Sequence, residues 1–237
     1  MTIFSVLLAF GSILGLAWTV LETPKANQEI SLEAGILALC SALIGGRGAY
    51  VAVHWAYFQH HLIEIPQFWL GGFSWPGALI GGILGTLLAS LVFGIRLGIL
   101  TDRLLPLLTS LAVAIWLGCW LTGCAYGPEV IWGLPTKDEW GTWNQRLPVQ
   151  LIGAILTVAV FWGIEQFRDR TSSMIPGLAA SLGLAGLSLI LFVTSLLRVD
   201  PYPLYKGFRL ETWSAMFLLG LSIISSIGLF LIYRRQT

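Results

Sequence analysis

The chain has 237 residues, 56% of them hydrophobic and only 11% charged, with a mean hydropathy of +0.81. Soluble domains carry roughly 25% charged residues, so this composition excludes a water-soluble globule and points to an all-α, polytopic membrane protein. A net charge of +1 gives no sign of nucleic-acid binding, and three cysteines are too few for a disulfide framework, though one pair stays open.

A spanning helix needs about 20 mostly apolar residues. Seven stretches qualify: Thr2–Val20, Ser31–Val53, Phe68–Gly94, Leu104–Gly123, Pro148–Gln166, Ile175–Leu197 and Thr212–Tyr233. The first lacks a basic leader and reads as a span rather than a cleavable signal. The third holds seven glycines and a proline, and a break or bend is expected near Trp75–Pro76. Within it, "GALIGGILG" (Gly77 to Gly85) spaces small residues for close helix packing. The longest polar segment, 125–147, is too short to fold alone and is expected to cap the outer face of a single integral membrane domain, 1–237. Eleven tryptophans suit interfacial anchoring.

Loop charge sets the expected orientation. One side would hold Lys25, Arg96, Arg103, Arg168, Arg170, Arg234 and Arg235, the other Lys137, Arg146, Arg198, Lys206 and Arg209. The first set is larger and lies mostly in short loops, which places the C-terminus in the cytoplasm and the 125–147 cap outside.

Arg47, in "LIGGRGAYV", is the most informative charge. Inside a span an arginine costs at least about 2.5–3.5 kcal/mol on insertion scales, so it should face a polar cavity, an acidic partner or a lipid phosphate. The alternative is a helix end from which the side chain snorkels to the interface. Cys119 and Cys124, in "GCWLTGCAYG", would point about 140° apart on a continuous helix. That favours small residues in a packed helix end. A disulfide becomes open to them if a loop begins there, on the oxidising side. His54, His60 and His61 show no ligand spacing and read as solvated interfacial residues. Arg198 and Asp200, with Arg209 and Glu211, are either ordinary boundary charges or, for Arg198, a ligand for a headgroup phosphate. No hydrolase, metal or nucleotide motif occurs, and no metal or cofactor is expected.

In order and spacing, several pieces resemble the bacterial prolipoprotein diacylglyceryl transferase family. "GGRGAYV" (45–51) is similar to its G-A-R-L-G-Y-V, and "WLGGFSWPGALIGGILG" (69–85), which contains Ser74, to its W-x-G-G-M-S-F-H-G-G-L-I-G. "TDRLLPLLTSLAVAIWLGCWLTGCAYGPE" (101–129) resembles the segment ending G-R-I-G-N-F-x-N-G-E-x-x-G. There Gly118, Gly123 and Gly127 match, with Tyr126 between, while Cys119 stands at an Asn and Cys124 at a Glu. "RLPVQL" (146–151) resembles R-H-P-x-Q-L, and "PGL" (176–178) and "LLRVD" (196–200) resemble P-G-x and F-F-R-x-P-D.

The resemblance covers about residues 35–200. It implies a bacterial inner-membrane protein that transfers diacylglycerol from phosphatidylglycerol to a prolipoprotein cysteine, with a histidine and several arginines attending the phosphate. Besides the two cysteines, this chain departs from that pattern at four positions tied to the chemistry. The histidine falls on Pro76, two arginines on Trp116 and Leu191, and a glutamate on Ser195. The expected protein is therefore a divergent member that binds a phospholipid through Arg47, Gln150, Arg198, Tyr126 and Ser74, with no catalytic residue assigned and activity weak or lost. Two rivals remain: a silent subunit or assembly factor of a membrane complex, and a thiol-redox protein using Cys119 and Cys124.

Overall fold

Seven helices among the described residues are long and apolar enough to cross a membrane. The computed structural model describes residues 3–68, 71–170, 175–201 and 204–234, without the side chains at 169 and 170. Thr2, Trp69, Arg235 and the side chain of Arg170 therefore lie outside the described residues. The helices are α1 (Ile3–Glu22), α2 (Gln28–Val53), the single turn α3 (Trp55–Phe58), α4 (Trp75–Phe93), the short α5 (Leu97–Arg103), α6 (Leu105–Thr122), α7 (Val149–Arg170), α8 (Leu178–Leu197) and α9 (Leu210–Arg234). All except α3 and α5 are spans.

The third expected stretch is shorter than its apolar run. Residues 71–74 are not helical, and α4 starts at Trp75 with Pro76 in its first turn. Proline lacks an N–H, and the first-turn amides have no intrahelical acceptor, so Pro76 opens the helix rather than breaking it.

Two short antiparallel hairpins interrupt the helices. Strand β1 (Glu129–Lys137) pairs with β2 (Trp143–Arg146), and β3 (Leu204–Tyr205) pairs with β4 (Phe208–Arg209). The 125–147 segment is thus an ordered hairpin, whereas the sequence reading assigned it no strand. In β1 both Glu129 and Leu134 pair with Arg146, so Val130–Gly133 bulges out of the ladder.

The chain folds into two compact units, one of residues 16–104 and one of residues 3–15 and 105–234. In the first, α2 and α4 pack at backbone contact. A Cβ on Gly77 would come 2.5 Å from the Gly45 carbonyl, and one on Gly85 would come 2.6 Å from the Ser41 side chain. In lipid, where apolar burial between helices gains little, such close approach is what holds them. In the second, Leu105, Phe161, Ile164, Ala179 and Ala180 form a core cluster joining α6, α7 and α8.

Candidate functional site

In the first unit the site is built around Arg47, which is only 4% exposed. Its guanidinium donates through Nε to the Ile65 carbonyl at 2.9 Å and through Nη2 to that of Glu64 at 2.6 Å. Nη1 donates to the carbonyls of Gly71 at 2.5 Å and Gly72 at 3.2 Å. The Phe58 ring lies 5.2 Å from the guanidinium carbon and the Tyr50 ring 5.9 Å. Gly72 is required here. Its φ is +75°, and a Cβ would stand 2.8 Å from Arg47 Nη1 and 2.6 Å from the Tyr50 ring. Arg47 thus folds the segment between α3 and α4 over itself, and among the described residues no carboxylate accepts from it. The Glu64 carboxylate instead accepts from the Tyr57 hydroxyl at 2.9 Å, and this bond raises the Tyr57 pKa. Ser74 precedes α4 and donates its N–H to the Gly46 carbonyl at 3.0 Å, with no side-chain cap bond.

In the second unit the end of α6 decides the geometry. Thr122 is its last residue, and Gly123 turns left-handed at φ +81°. The amides of Gly123 and Cys124 both donate to the Cys119 carbonyl, at 2.9 and 3.0 Å. This turn brings Cys124 back over Cys119, and the two form a disulfide with Cα atoms 4.6 Å apart. The two side chains are not held about 140° apart, because the helix stops at Thr122, between the two cysteines. Ala125 follows at φ +57°, and the buried Tyr126 comes next.

Tyr126 donates its hydroxyl to the Glu139 carboxylate and lies under Arg146, whose guanidinium carbon is 4.6 Å from the ring centre. Burial, then the hydrogen bond to Glu139, pushes the phenol up to about 12. Arg146 pairs with Glu129 at 2.9 Å and Asp138 at 3.5 Å, and its buried Nε has no hydrogen-bond partner among the described residues. Asp138 accepts from the amides of Trp140 and Thr142 and from the Thr142 hydroxyl. Burial works against its ionisation, but these bonds and Arg146 outweigh it and hold the carboxyl below its ordinary value. Gln150 is fully buried. Its Nε2 donates to the Cys124 carbonyl at 2.8 Å, and its Oε1 has no hydrogen-bond partner among the described residues.

Arg198 caps α8 within a four-charge cluster. It donates to Asp200 through Nε at 2.9 Å and Nη2 at 2.7 Å, and to Glu211 through Nη1 at 2.7 Å. Arg209 donates to the carbonyls of Arg198 and Asp200, and its Nη1 stands 3.3 Å from the Asp200 carboxylate. Two cations and two anions cancel. Burial alone would lower the Arg198 pKa, but Asp200 and Glu211 outweigh it and raise it. The Val199 amide donates to the Tyr126 carbonyl at 3.0 Å, which ties this cluster to Tyr126 and Gln150.

The structure thus brings Tyr126, Gln150 and Arg198 into one neighbourhood of the second unit, and Arg47 and Ser74 into one of the first. Sequence reasoning left the ring of Glu129, Asp138, Glu139 and Arg146 unassigned. The arginine of "RLPVQL" was its one available signal. Trp116 and Leu191 belong to a single apolar cluster with Ala125, Ala154 and Ile190, and the indole leaves no room for a Cβ on Gly153, 2.5 Å away. Ser195 donates to the Phe192 carbonyl and accepts from the Thr212 hydroxyl at 3.0 Å. His54 and His61 bond back to the carbonyls of Tyr50 and Tyr57 and stack on those tyrosine rings. No group of three or more His, Cys, Asp or Glu able to hold a metal occurs among the described residues.

The family model described as prolipoprotein diacylglyceryl transferase matches residues 1–231 of the chain. Similar curated proteins include the phosphatidylglycerol–prolipoprotein diacylglyceryl transferases of Bacillus velezensis and Geobacillus kaustophilus. Each is 31% identical over 80 residues, which is 33% of this chain and 30% of the relative. That of Streptococcus mutans is 33% identical over 81 residues, covering 33% of this chain and 31% of the relative. The aligned stretch therefore spans less than a third of the length of these relatives.

Proposed function

The chain belongs to the prolipoprotein diacylglyceryl transferase family, and on that premise we propose that it is a phospholipid-binding member in which transfer to a prolipoprotein cysteine is weak or lost. The relatives' substrate suggests phosphatidylglycerol as the lipid and the bacterial inner membrane as the location. One observation carries this reading. Trp116 and Leu191, at positions where the family pattern has arginines, pack together in an apolar cluster. A cluster of that kind offers no cation to a departing phosphate. Losing one such electrostatic donor typically costs about 10²–10³-fold in rate, and losing a general acid or base about 10²–10⁴-fold. Pro76 cannot serve as a base. Each unit holds its own candidates for a headgroup: Arg47 with Ser74 in the first, and Tyr126 and Gln150 beside the charge-balanced Arg198 cluster in the second.

The test is transfer from phosphatidylglycerol vesicles to a lipobox peptide by the purified protein, alongside complementation of a strain depleted of its own transferase. Expected are retained lipid on native mass spectrometry, no thioether product and no rescue. Rescue at ordinary expression would overturn the proposal. Absence of any retained phospholipid would instead favour a silent subunit of a membrane complex. The bonded Cys119–Cys124 pair supports a further reading, thiol exchange. Exchange of this bond with a dithiol oxidoreductase, trapped as a mixed disulfide, would establish it.

A further inference from the structure

The β1–β2 hairpin is built inside out relative to a hairpin on a soluble protein. Three of its polar residues, Thr136, Asp138 and Arg146, are buried, and Arg146 pairs with Asp138 and lies over the Tyr126 ring. Its large apolar residues face outward. Ile131 is 96% exposed, Trp140 83%, Trp132 73% and Trp143 62%. The ladder irregularity is what thrusts two of them out, because Ile131 and Trp132 sit on the Val130–Gly133 bulge. Trp140 sits in the connecting turn, which Asp138 fixes by accepting from the Trp140 and Thr142 amides at 3.0 and 2.9 Å. These side chains are therefore held out by ordered backbone.

The position of the hairpin says what covers them. It joins the end of α6 to the start of α7, both long enough to span, so it sits at the membrane surface where those helices emerge. Its back rests on the α6 terminus. A Cβ on Gly123 would come 2.8 Å from the Asp138 carbonyl carbon. The β3–β4 hairpin joins α8 to α9, and the Val199–Tyr126 bond places it at the same end of the second unit. It too turns Leu204, Tyr205 and Phe208 outward. Aromatic side chains, above all tryptophan, favour the level of the lipid headgroups. Exposed apolar patches of this kind mark an interaction surface.

We propose that the β1–β2 hairpin is an interfacial anchor, with Ile131, Trp132, Trp140 and Trp143 seated in the headgroup–acyl boundary of the leaflet from which α6 and α7 emerge. The inward charges stay on the protein side, and the outward apolar set meets lipid. The proposal is independent of whether the protein transfers or binds a headgroup.

Nitroxide labels at Ile131→Cys and Trp140→Cys test it, one site per variant, in a Cys40→Ser background so that the exposed free cysteine does not react. The protein is placed one copy per nanodisc of phosphatidylethanolamine and phosphatidylglycerol. A label at Val158→Cys, exposed on the α7 span, serves as the deep-lipid reference. Expected is a ratio of oxygen to nickel-chelate collisions between that of Val158 and that of free aqueous label, at both hairpin sites. Both sites are on exposed side chains, so the label displaces no packing. A fully aqueous ratio at both sites would overturn the anchor. So would label–label coupling in discs holding two copies, which would make this face a contact between chains. Protection of either label only when an extended peptide is added would assign the face to a peptide instead.

Discussion

Two buried arginines in this molecule are neutralised in opposite ways. Arg47 gives its donors to four backbone carbonyls and faces two aromatic rings. Arg198 gives its donors to two carboxylates, Asp200 and Glu211, which Arg209 balances. Carbonyl dipoles disperse a charge without cancelling it, whereas a carboxylate cancels it. Around Arg47 a net positive field therefore survives burial, and around Arg198 it does not. Of the two, Arg47 is the better placed to attract an anion, but a phosphate must first displace a carbonyl from the 64–72 segment. The same bonds that would make it a ligand make it a structural post.

The sharpest way to break this contrast is Arg47→Ala. It leaves the carbonyls of Glu64, Ile65, Gly71 and Gly72 without their donor, and a loss on the order of 4 kcal/mol is expected. The readout is a lowered unfolding midpoint in detergent together with new protease cleavage between Gln59 and Gln67. Arg47→Lys, which keeps the charge but not the fork, should fall between wild type and Ala. Next comes Asp200→Ala, which strips the shared carboxylate from Arg198 and Arg209 and should cost about 3 kcal/mol, as for other broken buried pairs. If it costs more than Arg47→Ala, the carboxylate cluster rather than the carbonyl cage is the stronger constraint.

Replacing Cys119 and Cys124 together by serine opens a very short loop and should cost about 2 kcal/mol by chain entropy. A reducing agent should lower the unfolding midpoint of the wild type and leave that of the double variant unchanged.

The last effect appears only at the extremes of pH. The Tyr126 phenol titrates near 10 when unfolded and at about 12 in the fold. Between those values the unfolded chain has released a proton that the folded one keeps. Its contribution is thus whole below about pH 10 and falls as pH rises towards about 12. Tyr126→Phe should flatten that limb of a stability–pH curve. Asp138 acts at the other end. Its folded pKa is depressed from 3.8, so its contribution holds above that pH and is lost below it.

Much of the fold was legible because lipid imposes a simple code. Some 20 apolar residues make a span whatever they pack against, and among the described residues seven such helices stand where seven apolar runs lie. The Gly77–Gly85 stripe likewise declared close packing, since nothing else explains small residues at helical spacing. What stayed hidden was non-local. Arg47 could be read as needing a polar partner, but its acceptors lie 17 to 25 residues away and are backbone atoms that carry no side-chain signal. The β1–β2 strands were masked by Pro135 and Gly133 and by an outward apolar face that reverses the usual alternation. The cysteine pair was misjudged because one left-handed glycine, Gly123, voids helical arithmetic.

The Cys119–Cys124 bond also bears on how the chain comes to maturity. Sulfur atoms of a membrane protein meet an oxidant only on the exported side, since the cytosol keeps thiols reduced. On the orientation expected from loop charge, the α6 terminus, and with it the seat of Gln150 and Tyr126, is completed only after that loop has crossed the bilayer. A copy inserted the wrong way round would keep both thiols free. The ratio of bonded to free pairs in whole cells would count correctly oriented molecules without any added reporter.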